Sequence, residues 1–100
     1  MLTSVIIPTF DRRDLVREAV ASVLAQQGAA FELVVVDDGS TDGTAAALEA
    51  EFGPAVQVLR TPQRGVAAAR NAGVAASSGE LVAFLDSDDL WLPGKLAAQV

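Results

Sequence analysis

The feature that most limits what this chain can become is the rhythm of its apolar runs. Leu2 to Pro8, Phe31 to Val36, Val56 to Leu59 and Leu81 to Leu85 are almost continuously apolar, and the first two are rich in Val and Ile. They read as short strands buried on both faces. Segments with helical spacing lie between them. Leu15, Val16, Ala19, Val20, Val23 and Leu24 recur at three and four residues. Asp11 is expected to cap that helix, with Asp14 in a capping-box-like place and Gly28 at its end. A second helix is expected from Ala45 to Phe52, closed by Gly53-Pro54, and a third from Val66 to Ala76, ended by Ser77-Ser78-Gly79. Pro93 suits the first turn of a fourth. The order β-α-β-α-β-α-β-α predicts an α/β fold: a mostly parallel four-stranded sheet with helices on both faces and right-handed crossovers.

One hundred residues make one domain. With 51% apolar and 20% charged residues the chain has the composition of a folded core. It has no Cys and no His, which removes disulfides, thiolate or imidazole metal sites, and Ser-His-Asp catalysis. A net charge of −6 argues against DNA or RNA as partners. An anionic small ligand would need helix N-termini or a metal ion to offset the repulsion. No run approaches the roughly 20 apolar residues that span a bilayer, and no basic leader precedes the first strand. The expected compartment is the cytoplasm, at the inner face of the membrane if a longer parent protein docks there.

The polar residues fall where a parallel sheet binds ligands, beyond the carboxyl ends of its strands. Pro8-Thr9 follows the first strand, Asp37-Asp38-Gly39-Ser40 the second, and Asp86-Ser87-Asp88-Asp89 the fourth. The Asp37-Asp38 loop suits a simple turn with helix caps; equally, one of its carboxylates could accept from a base N–H or a ribose hydroxyl. The fourth loop is harder to explain structurally. Three carboxylates in four residues repel one another, and a hard divalent cation such as Mg2+ or Mn2+ would relieve that repulsion. Arg64 and Arg70 could pair with phosphate, with Gly65 admitting a ligand close to the backbone; a solvated helix face is the simpler reading of an Arg there. Trp91 and Leu92 read as core or as a lid. The first strand is followed by no Gly-x-Gly-x-x-Gly, and no Walker A loop is present, which disfavours dinucleotide-binding Rossmann domains and P-loop NTPases.

Four motifs in order cover nearly the whole chain: Val5-Ile6-Ile7-Pro8-Thr9-Phe10, Val35-Val36-Asp37-Asp38-Gly39-Ser40-Thr41-Asp42, Gly65-Val66-Ala67-Ala68-Ala69-Arg70-Asn71-Ala72-Gly73 and Phe84-Leu85-Asp86-Ser87-Asp88-Asp89. Together they resemble the family 2 glycosyltransferases. The resemblance implies the Rossmann-like donor-binding half of a GT-A fold and a nucleotide-sugar donor. It sets Pro8 and Thr9 against the nucleoside and Asp38, or its neighbour Asp37, on the base. It makes Asp86-Ser87-Asp88 a DxD motif, with Asp88 the metal ligand bridging to the diphosphate and Asp86 near the ribose or the metal. Arg70 and Asn71 match a motif near the donor. The family transfers a sugar with inversion, an Asp or Glu deprotonating the acceptor hydroxyl.

In that family the catalytic base and acceptor site lie beyond the DxD motif. The expectation for residues 1–100 is therefore a nucleotide-diphospho-sugar-binding part, with the catalytic base not identifiable, a UDP-sugar favoured as donor, the acceptor unknown, and self-association through an open sheet edge. The alternative is a non-catalytic nucleotide-binding module. A haloacid-dehalogenase-type phosphotransferase and a receiver domain are disfavoured, because their acidic motifs follow the first strand.

Overall fold

Val5, Ile6 and Ile7 have no solvent exposure, and neither do Val34, Val35 and Val36. Such runs must lie side by side in the middle of a sheet, and in the computed structural model, which describes residues 2–26, 30–79 and 81–85, they do. The order is β1 (Leu2–Thr9), α1 (Arg13–Leu24), β2 (Ala30–Asp37), α2 (Thr44–Phe52), a 3-10 turn (Gly53–Ala55), β3 (Gln57–Arg60), α3 (Val66–Ala76) and β4 (Leu81–Phe84). The sheet order is β3-β2-β1-β4, and all three pairings are parallel. The expected α/β fold is observed, with every described strand parallel. Gly28, the loop 86–89, Trp91 and the helix expected at Pro93 lie outside the described residues.

Alternation along the two central strands feeds two cores. Val5, Ile7, Leu33 and Val35 pack with Val16, Ala19, Val20 and Val23 of α1 and Leu48 of α2. Ile6, Val34 and Val36 pack on the opposite face with Ala69 of α3, flanked by Leu59 and Ala72. Helices thus cover both faces. Leu15, read as part of the apolar stripe of α1, is 44% exposed instead.

Two strand boundaries differ from expectation for identifiable reasons. Val56 closes the 3-10 turn, its amide donating to the Gly53 carbonyl, so β3 starts one residue later and ends with Arg60 opposite Asp37. Pro8 does not stop β1, which runs on to Thr9. A proline inside a central strand normally forfeits a ladder bond. Here the Leu85 amide donates to the Ile6 carbonyl (3.1 Å), and the Asp38 amide to the Thr9 carbonyl (2.9 Å). Backbone groups of alternate residues face alternate neighbours, so Ile6 and Pro8 face β4 while Thr9 faces β2. The β1–β4 register ends at Ile6 opposite Phe84. Among the described residues no β1–β4 pair includes Pro8, whose missing N–H faces that side.

The helix on the second face lies close to the sheet because one residue of α3 has no side chain. A Cβ built on Gly73 would sit 2.5 Å from Ile6 Cγ2 and 3.2 Å from Val36 Cγ2. We predict that Gly73→Ala lowers the urea midpoint. Overpacking costs about 1–3 kcal/mol, against about 1 kcal/mol gained in helix propensity. Gly73→Val should be worse, and a rise in midpoint for either variant would refute this packing.

Candidate functional site

The carboxyl ends of β1, β2 and β3 form a rim where three loops are tied together by backbone amides and carboxylates. β1 and β2 end in register, Thr9 opposite Asp37. The Thr61 amide continues the step outward, donating to the Asp37 carbonyl (2.9 Å).

The two adjacent carboxylates at the end of β2, Asp37 and Asp38, serve different loops. Asp37 Oδ1 accepts from the Ser40 amide (2.9 Å), closing the turn after β2. Asp38 accepts from the Arg64 amide at Oδ1 (2.9 Å) and from the Gly65 amide at Oδ2 (3.0 Å). It therefore fixes the segment 61–65 at the N-terminus of α3, where amides otherwise lack partners. Both side chains are 5% exposed. Each carboxylate oxygen can accept a second hydrogen bond, so these contacts leave acceptor capacity for a ligand.

A latch joins the loop after β1 to the loop after β2. The Asp11 amide donates to Ser40 Oγ (2.7 Å), and the Thr41 amide donates back to Asp11 Oδ1 (2.7 Å). Asp11 takes a left-handed backbone (φ 48°) to do this. The expected capping role of Asp11 is thereby corrected. The α1 N-cap is Arg12, whose guanidinium carries donors only and makes no side-chain capping bond, while the Asp11 carboxylate is turned to the neighbouring loop. The cap arrives from that loop instead. Asp42 Oδ2 accepts from the Arg13 amide (3.1 Å), while its Oδ1 accepts from the Thr44 amide (3.1 Å) and the Thr44 hydroxyl at the start of α2. One carboxylate thus closes two helix N-termini.

Of the residues singled out in the sequence, Pro8, Thr9, Asp37 and Asp38 come together on this rim, all buried. The Thr9 hydroxyl is buried with no hydrogen-bond partner among the described residues. It shares the Val5 and Ile7 side of β1 and neighbours Asp37. A buried hydroxyl without a partner carries a desolvation cost, and a ligand atom would remove it. Arg70 is half-buried and reaches the end of β4, its guanidinium carbon 5.6 Å from the centre of the Phe84 ring. Asn71, one residue further round α3, is exposed. Asp86, Ser87, Asp88 and Asp89 lie outside the described residues, immediately past Leu85. Among the described residues no three acidic, His or Cys side chains cluster to hold a metal ion. A cavity of about 180 Å3 beside this rim is lined by Thr61, Pro62, Arg64, Ala68 and Ala72. Sequence reasoning singled out Asp11 for a different role and missed Asp42 as a cap; the spacing Asp42-Gly43-Thr44 ahead of a helix was the signal for the second.

The sequence profile described as Glycosyl transferase family 2 matches residues 4–100. The chain belongs to that family. It is 39% identical over 101 residues to the UDP-Glc:alpha-D-GlcNAc-diphosphoundecaprenol beta-1,3-glucosyltransferase WfgD of Escherichia coli, with 99% of this chain and 40% of the relative covered. Among solved structures it superposes on S. aureus TarS 1-349 in complex with UDP with a TM-score of 0.87 and 33% identity, covering 99% of this chain and 31% of that one. It also superposes on the mannosyltransferase PcManGT from Pyrobaculum calidifontis in complex with GDP-Man and Mn2+, with a TM-score of 0.80 and 35% identity over 89% of this chain and 28% of that one. The chain therefore spans well under half the length of these relatives. No described helix is long and apolar enough to cross a membrane.

The latch yields an acid-sensitivity prediction. The Thr44 hydroxyl first, then the Arg13 and Thr44 amides, hold the Asp42 carboxyl below the usual carboxylate range. Its stabilisation is present above the unfolded value of about 4 and is lost as pH falls through the lowered folded value. Asp42→Ala should cost about 1–2 kcal/mol at neutral pH through lost capping, and it should flatten the acid limb of the stability curve. Asp42→Asn should retain most of the neutral-pH stability, because Asn also caps helices. Equal loss in both variants would show that capping is not what Asp42 contributes.

Proposed function

We propose that this chain supplies the nucleotide-sugar-binding half of an inverting family 2 glycosyltransferase. The observation that carries the reading is the buried, unpartnered Thr9 hydroxyl beside Asp37 on the carboxyl rim, in a family whose solved relatives hold UDP or GDP-Man. Pro8 and Thr9 would face the nucleoside, and Asp37 or Asp38 would accept the ring N–H of the base. Arg70, already at the end of β4, would offer charge to the diphosphate, with Asn71 near the donor. Asp88 and Asp86 would hold a hard divalent cation, Mg2+ or Mn2+, that neutralises the departing diphosphate, with Ser87 beside them at the donor. Their carboxylates are the hard oxygen donors such an ion requires. The work of the described residues is to bind and orient: the latch and the Asp38 contacts keep the loops around the base in place before the donor arrives.

Calorimetry with UDP tests this. Affinity should fall at least about tenfold in EDTA and in Asp88→Ala, as expected when a cation bridges carboxylate and diphosphate. UDP should be preferred to CDP, since cytosine lacks the ring N–H and leaves an acceptor unpaired, at roughly 1–3 kcal/mol. Equal affinity in EDTA would sink the metal assignment, and a preference for CDP the assignment of the base.

We also propose that the chain by itself self-associates along β4, where Leu81, Val82 and Phe84 are 39%, 42% and 46% exposed at one edge of the sheet. Sedimentation of residues 1–100 should show mass rising with concentration; a monomer throughout would contradict this.

A further inference from the structure

β4 is poorly equipped to choose its own register. It has four residues and pairs through Thr3 opposite Leu81 to Ile6 opposite Phe84. Leu81, Val82 and Phe84 are all more than a third exposed, and only Leu85, just past the strand, is deeply buried (4%). Within the strand only Ala83 packs on the core, beside Leu85 just past it, so burial pins the register through few side chains, and registers weakly specified by burial are prone to slip. A slip of one residue moves the following chain about 3.3 Å and turns every side chain to the other face. The acidic loop 86–89 starts directly after Leu85.

At the opposite end of the sheet, far from the rim, lies a polar cluster with no role in the donor site. Glu32 on β2 and Ser4 on β1 are register partners. The Ser4 hydroxyl donates to Glu32 Oε2 (2.5 Å). The same oxygen accepts from the amides of Ser78 (2.6 Å) and Gly79 (3.1 Å), and the Gly79 amide also donates to Ser4 Oγ (2.8 Å). The Ser78 hydroxyl reaches Glu32 Oε1 at 3.2 Å. These bonds hold the Glu32 carboxyl below its ordinary range, the Ser4 hydroxyl contributing most. The turn is drawn so tightly onto β1 that a Cβ on Gly79 would lie 2.7 Å from the Ser4 nitrogen and 2.9 Å from the Leu2 carbonyl oxygen. A side chain two strands away thus grips the two residues that lead into β4.

We propose that Glu32 is a positioning residue. By clamping Ser78 and Gly79 against Ser4 it fixes the register in which β4 joins β1, and so the point from which the chain enters the acidic loop 86–89. The consequence for binding rests on the reading of that loop as the metal and diphosphate site. The consequence for register does not.

The test uses Glu32→Ala and the isosteric Glu32→Gln in the full chain, read by amide hydrogen exchange and by UDP calorimetry with and without Mn2+. In Glu32→Ala, exchange at the Leu85 amide should rise at least about tenfold more than at Val34 and Val35, since local opening is separable from global unfolding. Mn2+-dependent UDP affinity should drop about tenfold, with residual UDP binding in EDTA unchanged, a split that a general loss of stability would not produce. Glu32→Gln keeps one acceptor oxygen and should recover part of both effects, and it carries the comparison if the alanine variant fails to fold. A uniform rise across β1, β2 and β4, or no rise at Leu85 in either variant, would overturn the proposal. Absence of Mn2+-dependent UDP binding in the unaltered chain would instead overturn the reading of the loop 86–89, while the exchange comparison still judges Glu32.

Discussion

The eight-residue parallel ladder between β1 and β2 is the constraint on which the rest of the structure depends. Its central residues are inaccessible to water on both faces. Each face therefore needs its own cover, and parallel neighbours need a crossover. α1 provides both at once for the first face, and α3 covers the second. Because β1 and β2 end in register, their two following loops leave the sheet at the same level. That coincidence is what allows Asp11, Ser40, Thr41 and Asp42 to reach one another.

The rim is organised almost entirely by acceptors meeting backbone amides. Asp37, Asp38, Asp11 and Asp42 each take at least one main-chain N–H. In a chain of net charge −6, such contacts let carboxylates gather without cations, since amide dipoles and helix N-termini favour negative charge. The same arrangement places a dense set of fixed dipoles around the carboxyl rim; on the function proposed above, the phosphates would be left to Arg70 and to an ion held by residues 86–89.

The fold was legible in the sequence wherever burial set the pattern. Val5 to Ile7 and Val34 to Val36 could only be inner strands, and the boundaries of α3 follow from Gly65 and Ser77 at its ends. Pro8 misled because its cost depends on which neighbour its nitrogen faces, a property of sheet order and not of local sequence. Asp11 misled because a cap is decided by competition: the Thr41 amide, 30 residues away in a neighbouring loop, claimed its carboxylate. The rim was legible as a cluster of polar loops, and Asp37 and Asp38 do gather with Thr9. Their division of labour between two loops was not, since it depends on the alternation of side chains at the end of β2 and on where the segment 61–65 comes to rest. Glu32 gave no signal at all, because a lone carboxylate in an apolar strand looks like a solvent-facing residue until the 77–79 turn is laid over it.

The position of β4 outside β1 also has a kinetic side. β1 meets β2 across an offset of 28 residues (Leu2 opposite Ala30), whereas it meets β4 across 78 (Thr3 opposite Leu81). Closing the longer loop costs about 1 kcal/mol more in chain entropy, and the strand gained is short and half-exposed. The β3-β2-β1 part of the sheet can therefore assemble as the chain emerges, with β4 docking after it. A nascent or partly unfolded molecule would hold the carboxyl rim of β1 and β2 and lack its β4 side. If the rim is the donor site proposed above, its β4 side would form only once this strand is seated against β1, so that docking of β4 would act as a check on the chain's readiness to bind.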